Sequence, residues 1–306
     1  MTQQLLQLRR YRFLLLFPII YSLVNKIVNT LLFTIVSSLV LVKGKVGLDF
    51  SNTVNEVASQ YIFLAYAVGA AFVTVTLWLG DRALYQHQTF WNDSHRSFWQ
   101  LERRAKEEFF RGLSSGLSVA FIYILVFAIA GAIVYLGTYI TSAIGTPVFP
   151  LFFMDLLSLI VFIFCEEFLF RHKLLRKIHE MMSPMRAVLL TSVIYIALKW
   201  VQFQLVPLDY INLLLLNITL GFFYLKSGRA HRGLGFLSAL YGALHSFAGL
   251  PLWTHSSPSF FLFKENTKMI SSLSGGSAGP LSSLGLTSIL FVFAIGAYLS
   301  WKKSNA

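Results

Sequence analysis

Long apolar runs separated by short clusters of basic residues set the pattern of this chain. A helix crosses a bilayer with about 20 apolar residues, within a range of roughly 17 to 25. Runs of about that length cover approximately Phe13–Val42, Gln60–Gly80, Gly112–Ile140, Val148–Phe170, Ala187–Val206, Tyr210–Leu225, Gly233–Leu250 and Leu284–Trp301. The sixth is the shortest. The pattern predicts an all-α, polytopic membrane helix bundle of about eight transmembrane helices. The N-terminal stretch MTQQLLQLRRYRFLLLFPII begins like a secretory signal. Its apolar run is too long for one and has no small-residue cleavage site, so a retained first span, kinked at Pro18, is expected.

The basic residues orient these spans. Arg9, Arg10 and Arg12 precede the first. Arg82, Arg96, Arg103, Arg104, Lys106 and Arg111 follow the second, and Arg171, Lys173, Arg176, Lys177 and Arg186 follow the fourth. Lys226, Arg229 and Arg232 follow the sixth, and Lys302 and Lys303 the last. The alternate loops hold only Lys43, Lys45, Lys264 and Lys268. By the positive-inside rule both termini are cytoplasmic. The same bias, with no targeting segment evident, favours a multi-pass protein of a bacterial plasma (inner) membrane.

Composition agrees. Hydrophobic residues make up 56% and charged residues 12%, where a soluble domain has roughly 25% charged. The net charge of +12 lies in loop clusters, a topology signal that excludes a nucleic-acid surface. The single cysteine, Cys165, excludes an internal disulfide and reads as packing.

Three regions are expected: 1–111, two spans and a cytoplasmic segment; 112–250, a membrane core; and 251–306, an external loop and the last span. Within the first, Asp81–Arg111 mixes aromatic and basic residues as an interfacial helix does. Within the last, Pro251–Ser283 is rich in Ser, Gly and Pro and reads as a flexible loop. No internal repeat is evident.

Ionised groups inside an apolar span are rare and costly, and mark functional sites by default. The spans contain Lys26, Asp155, Glu166, Glu167 and Lys199. In Ser158–Lys177, SLIVFIFCEEFLFRHKLLRK, Glu167 and Arg171 form an i,i+4 pair in the favourable order, which alone reads as a surface pair near the cytoplasmic boundary. Glu166 has Phe162 and Phe170 as its i−4 and i+4 neighbours and needs a partner on another helix. Asp155, nearly three whole turns earlier, points the same way. Later spans offer two polar stripes: Ser192, Tyr195, Lys199 and Gln202, then Ser238, Gly242, His245 and Gly249, whose small residues allow close helix approach. Asp155 is an alternative counter-ion for Lys199 or Lys26. Lys26, with Asn25 and Asn29, reads as interhelical glue. His172, His179 and His231 read as interfacial, and His87, His95 and His255 lie in loops without metal-ligand spacing.

EEFLFR resembles the EExxxR motif of the CAAX-protease and bacteriocin-processing family, the type II CAAX endopeptidases or glutamic intramembrane proteases. That family's FxxxH motif aligns with Tyr195–Lys199 and its HxxxN/D motif with His245–Gly249. GFFYLKSGRAHRGLGFLSALYGALH resembles the approach to the latter. The resemblance covers about Leu151–Leu250. It implies an intramembrane endopeptidase that cleaves membrane-associated peptides or proteins with glutamate-activated water. Glu166 would be the base, Glu167 and Arg171 its positioning pair, and His245 an oxyanion donor; Lys199, Tyr195 and Gly249 occupy further motif positions. Lys199 replaces the family's His, Gly249 its Asn or Asp, and His172 the usual Gly after the motif Arg. Some accounts of the family place zinc among its Glu and His residues; a protonated Lys199 is a poor metal ligand and disfavours it. Partners implied are a membrane-embedded substrate and the lipid bilayer. Other readings are a catalytically degenerate membrane chaperone or regulator, and a proton-coupled solute transporter using Asp155, Glu166 and Lys199. The lack of repeats and of paired broken spans speaks against the transporter.

Overall fold

A computed structural model describes residues 19–35, 38, 62–77, 103–138, 148–203, 205–253, 259–266 and 271–304. Helices coincide with every apolar run named above: α1 (Ile19–Ile35), α2 (Ile62–Leu77), α3 (Arg103–Ile129), α4 (Val148–Glu166), α5 (Pro184–Gln202), α6 (Pro207–Ser227), α7 (His231–Tyr241) and α8 (Leu284–Ser304). Four of them, α3, α5, α6 and α8, are long and apolar enough to cross a membrane. Large apolar side chains remain outward on these helices, among them Phe121, Ile129, Val193, Trp200, Phe291 and Val292. Such a surface suits lipid and not water, and the protein is an integral membrane helix bundle.

Local chemistry sets the helix ends. Pro184 and Pro207 occupy first-turn positions of α5 and α6, where a missing N–H costs nothing. Asp209 Oδ2 accepts the Val206 N–H at 2.9 Å, tying the start of α6. Gly228, at φ +67°, ends it in the left-handed conformation.

Helices α3 and α7 pack most intimately. Gly112 and Gly116 of α3 lie against the backbone of Arg232 and Phe236, and Gly235 of α7 against that of Phe109, with no room for a Cβ at any of the three. This is a small-xxx-small seam. Its glycines are not those expected: Gly242, read as a close-approach residue, has only an ordinary contact to Leu156.

Two expectations are corrected. The third run does not stay helical to Ile140. The chain turns at Gly131, φ +70°, and Ile133–Thr138 forms strand β1, antiparallel to β2 (Phe261–Glu265), with Val134 opposite Lys264. The bundle therefore carries a two-stranded ribbon and is not purely α. The described part of Pro251–Ser283 is also tied down. Asn212 Nδ2 donates to the carbonyls of Leu281 and Ser283, Ser282 Oγ to Asp209 Oδ1 at 2.6 Å, and Tyr123 Oη to the Ser274 carbonyl at 2.6 Å. Buried polar groups on α3 and α6 thus hold this Ser/Gly stretch to the bundle. The expected interfacial helix lies outside the described residues except for Arg103–Arg111, which opens α3.

Candidate functional site

The backbone changes character at the two glutamates. α4 ends at Glu166, and Glu167–Leu175 continues as a π-helix in which every residue is buried, before Arg176–His179 resumes α geometry. A second π segment, Gly242–Phe247, follows α7 and carries His245. Among the described residues these are the two π segments, and each holds a motif residue. Segments of this kind are rare and recur at functional sites.

The change sends the adjacent carboxylates to different neighbours. Glu166 accepts three hydrogen bonds: at Oε1 from Lys199 Nζ (2.6 Å) and Tyr21 Oη (2.8 Å), and at Oε2 from Tyr195 Oη (2.8 Å). Lys199 and Tyr195, one turn apart on α5, present both groups from one face. Tyr21 arrives from α1. Glu166, Lys199 and both tyrosines are buried. A buried carboxylate is tolerable when paired and hydrogen-bonded, and the partner demanded by the apolar surroundings of Glu166 is Lys199.

The ammonium is also enclosed by rings. Its Nζ lies 4.2 Å from the ring centroid of Phe162, 4.9 Å from Trp253, 5.0 Å from Phe203 and 5.2 Å from Tyr195. Ring faces attract cations, most strongly in a desolvated setting.

Glu167 pairs with Arg171, Oε1 to Nη1 at 3.0 Å, as the spacing predicts, but the pair is buried and not on a surface. Asn217 of α6 accepts a short hydrogen bond from Arg171 Nη2. Gly233 of α7 lies against Glu167 Oε2, where a Cβ would collide. The Arg171 guanidinium sits 5.0 Å over the Tyr195 ring, so Tyr195 touches both acid–base pairs. His172 and Lys173 are buried beside Phe168, and His231 is buried too.

His245 is directed elsewhere. Its Nε2 lies 3.5 Å from Asp155 Oδ2 and its Nδ1 3.2 Å from the Leu250 carbonyl. With Nδ1 donating to Leu250, the Nε2–Asp155 contact is favourable when the pair holds one further proton between them. Asp155 and Glu166 are eleven residues apart on α4, about 16 Å along its axis. The structure thus makes two pairs at two depths, Glu166 with Lys199 and Asp155 with His245. Asp155 does not serve as the counter-ion of Lys199, and Lys26 is exposed on α1. Aromatic rings join the two levels: Phe63 meets His245 at 4.9 Å and Trp253 at 6.1 Å.

Gly249 brings no side chain to the site. It adopts φ +71°, donates its N–H to the His245 carbonyl at 2.9 Å, and leaves no room for a Cβ beside Ser259 Oγ. Its turn places the Leu250 carbonyl on His245.

Zinc does not fit this donor set. Lys199 Nζ stands where a second ligand to a Glu166-bound ion would be, and His245 faces Asp155. An ammonium has no lone pair for a metal. Among the described residues, no group of three His, Cys, Asp or Glu side chains is placed to hold an ion.

Four residues of this cluster carry no motif in the sequence: Tyr21, Asn217, Phe203 and Trp253. Asn217, a lone amide in LLLLNITL, carried a signal as an intramembrane polar group. The aromatics are indistinguishable by composition from the other rings of the spans.

Residues 147–232 match the family model described as Rce1-like, type II CAAX prenyl endopeptidase Rce1-like. The match includes Glu166, Glu167, Arg171, Lys199 and Asn217 and ends before His245. No curated protein matches the chain. Through residues 147–232, with the paired glutamates, Arg171 and Lys199 inside it, the chain is similar to the Rce1-like type II CAAX prenyl endopeptidase family.

Proposed function

We propose that this protein is an intramembrane endopeptidase that hydrolyses membrane-embedded peptide or protein substrates, with Glu166 and Lys199 as its proton-handling pair. The observation that carries this reading is the 2.6 Å contact between a buried carboxylate and a buried ammonium, inside the stretch that matches the family. Such a pair offers a base and an acid side by side. Glu166 takes a proton from water as its oxygen adds to the peptide carbonyl carbon. Lys199 donates to the developing oxyanion and then supplies the proton on which the C–N bond breaks. Tyr21 and Tyr195 orient the carboxylate. Glu167, Arg171 and Asn217 form the buried frame behind it, and His245 with Asp155 forms a second polar level nearer the start of α4.

The test is cleavage of a membrane-borne peptide by the purified protein in liposomes. Hydrolysis abolished in Glu166→Gln with the fold intact supports the assignment; unchanged hydrolysis refutes it.

A second reading, a non-hydrolytic relative acting as membrane chaperone or regulator, draws on the same residues. Three donors already occupy the Glu166 carboxylate, and four rings hold the ammonium against it. That reading expects substrate binding without turnover in the parent protein.

We further propose eight membrane spans with both termini cytoplasmic, in a bacterial plasma membrane. The support is the correspondence of helices with all eight apolar runs and the weight of Lys and Arg in alternate loops. Accessibility labelling of single cysteines placed in successive loops tests it.

A further inference from the structure

Trp253 holds an unusual backbone. Among the described residues it is the non-glycine with positive φ, at +49°. Bulky side chains rarely enter that region, and they stay there where the surroundings over-determine them. Here the indole is fully buried. It stacks on Phe203 at 4.4 Å and meets Tyr241 at 5.6 Å and Phe162 at 6.2 Å. Lys199 Nζ lies 4.9 Å from its centroid. The same turn, Gly249 to Trp253, places the Leu250 carbonyl on His245. One short stretch after the third motif therefore touches both buried pairs.

We propose that Trp253 is a positioning residue for Lys199: its indole is the wall that confines the ammonium to Glu166. Phe162 and Phe203 belong to α4 and the end of α5, the elements that carry Glu166 and Lys199 themselves. Of the four rings described around the amine, Trp253 is the one that reaches it from beyond α7. The lysine stem is long and flexible, and without that wall the Nζ has room to leave Oε1. Indole is the strongest of the aromatic partners for a cation, which suits Trp where Phe would also fill space. The left-handed backbone turns the ring inward to this position. The functional meaning rests on the pair being the reacting one; the confinement rests on geometry alone.

The experiment is amine acylation of the full-length protein in detergent, with Lys199 and the equally buried Lys173 followed by mass spectrometry. Lys173 lies over Phe168 in the π segment and reports general loosening. Acylation of Lys199 is expected to rise about tenfold in Trp253→Leu and less in Trp253→Phe, on the scale of a desolvated cation–π contact. Lys173 should stay unchanged in both. A flat Lys199 response, or an equal rise at both lysines, overturns the proposal. Where the parent protein hydrolyses a peptide, Trp253→Leu lowers kcat and leaves KM nearly unchanged. A parent without hydrolysis counts against the proposed function and leaves the acylation result standing.

Discussion

Glu166 and Lys199, 33 positions apart in the chain, meet at 2.6 Å in a region closed to solvent. Neither is tolerable there without the other. Lys199→Met leaves a buried carboxylate with two tyrosine donors and no counter-charge, and should lower stability by about 3–5 kcal/mol, the range for breaking a buried pair. Glu166→Gln with Lys199→Met together should recover much of that loss. Thermal unfolding of the two single variants and the double variant in detergent measures the coupling; additive effects would show that the contact carries little.

Arg171 depends on Asn217. Asn217→Leu removes the acceptor from Arg171 Nη2 in a buried setting and should cost about 1.5–3 kcal/mol, as for hydrogen bonds to charged groups. Arg171→Lys, which gives up the planar fork, should be comparably damaging. Equal stability of Asn217→Leu and the parent by denaturation would count against the assigned geometry.

Restoring the family residue at position 249 should not help. Gly249→Asn places a Cβ against Ser259 Oγ. Asn tolerates the left-handed backbone, so the collision is the obstacle. The variant is expected to lose stability, and Ser259→Gly in the same chain to return part of it. A stable Gly249→Asn protein with raised activity would be the contrary result.

The α3–α7 seam makes a separate prediction. Gly116→Val inserts side-chain atoms where the Phe236 carbonyl already lies, and overpacking of this kind costs about 1–3 kcal/mol. A substitution at Gly296, where an added Cβ meets nothing within 4 Å, should be nearly silent. Parallel melting curves decide.

What could be read from the chain follows from which contacts repeat along one helix. Glu167 with Arg171 was legible because both lie on one helix at a fixed spacing. The need of Glu166 for a partner, and the Tyr195–Lys199 stripe that meets it, were legible for the same reason. Tyr21 was not: it comes from 145 positions away, and a tyrosine in an apolar span looks like any other ring. The pairing of Asp155 with His245 was not legible either, since depth arithmetic on isolated helices leaves two carboxylates open to two bases. Burial of the Glu167–Arg171 pair required knowing that α6 and α7 close over it. β1 was hidden because IVYLGT extends an apolar run without a polar break; Gly131 was the available sign of the turn.

The π segment from Glu167 to Leu175 also defines a frame. Relative to a continuous α-helix, such a bulge accommodates one additional residue, and one α residue is about 100° of rotation. Deleting a single residue within it would let the backbone relax to an unbroken helix. The residues beyond Leu175 would keep their direction, while those inside the segment, Arg171 among them, would turn relative to Glu166. The EE pair and its Arg therefore depend on a count of residues as much as on their identity. A chain with every motif letter intact and one position missing between Arg171 and Leu175 would lose the local geometry that holds Arg171 between Glu167 and Asn217.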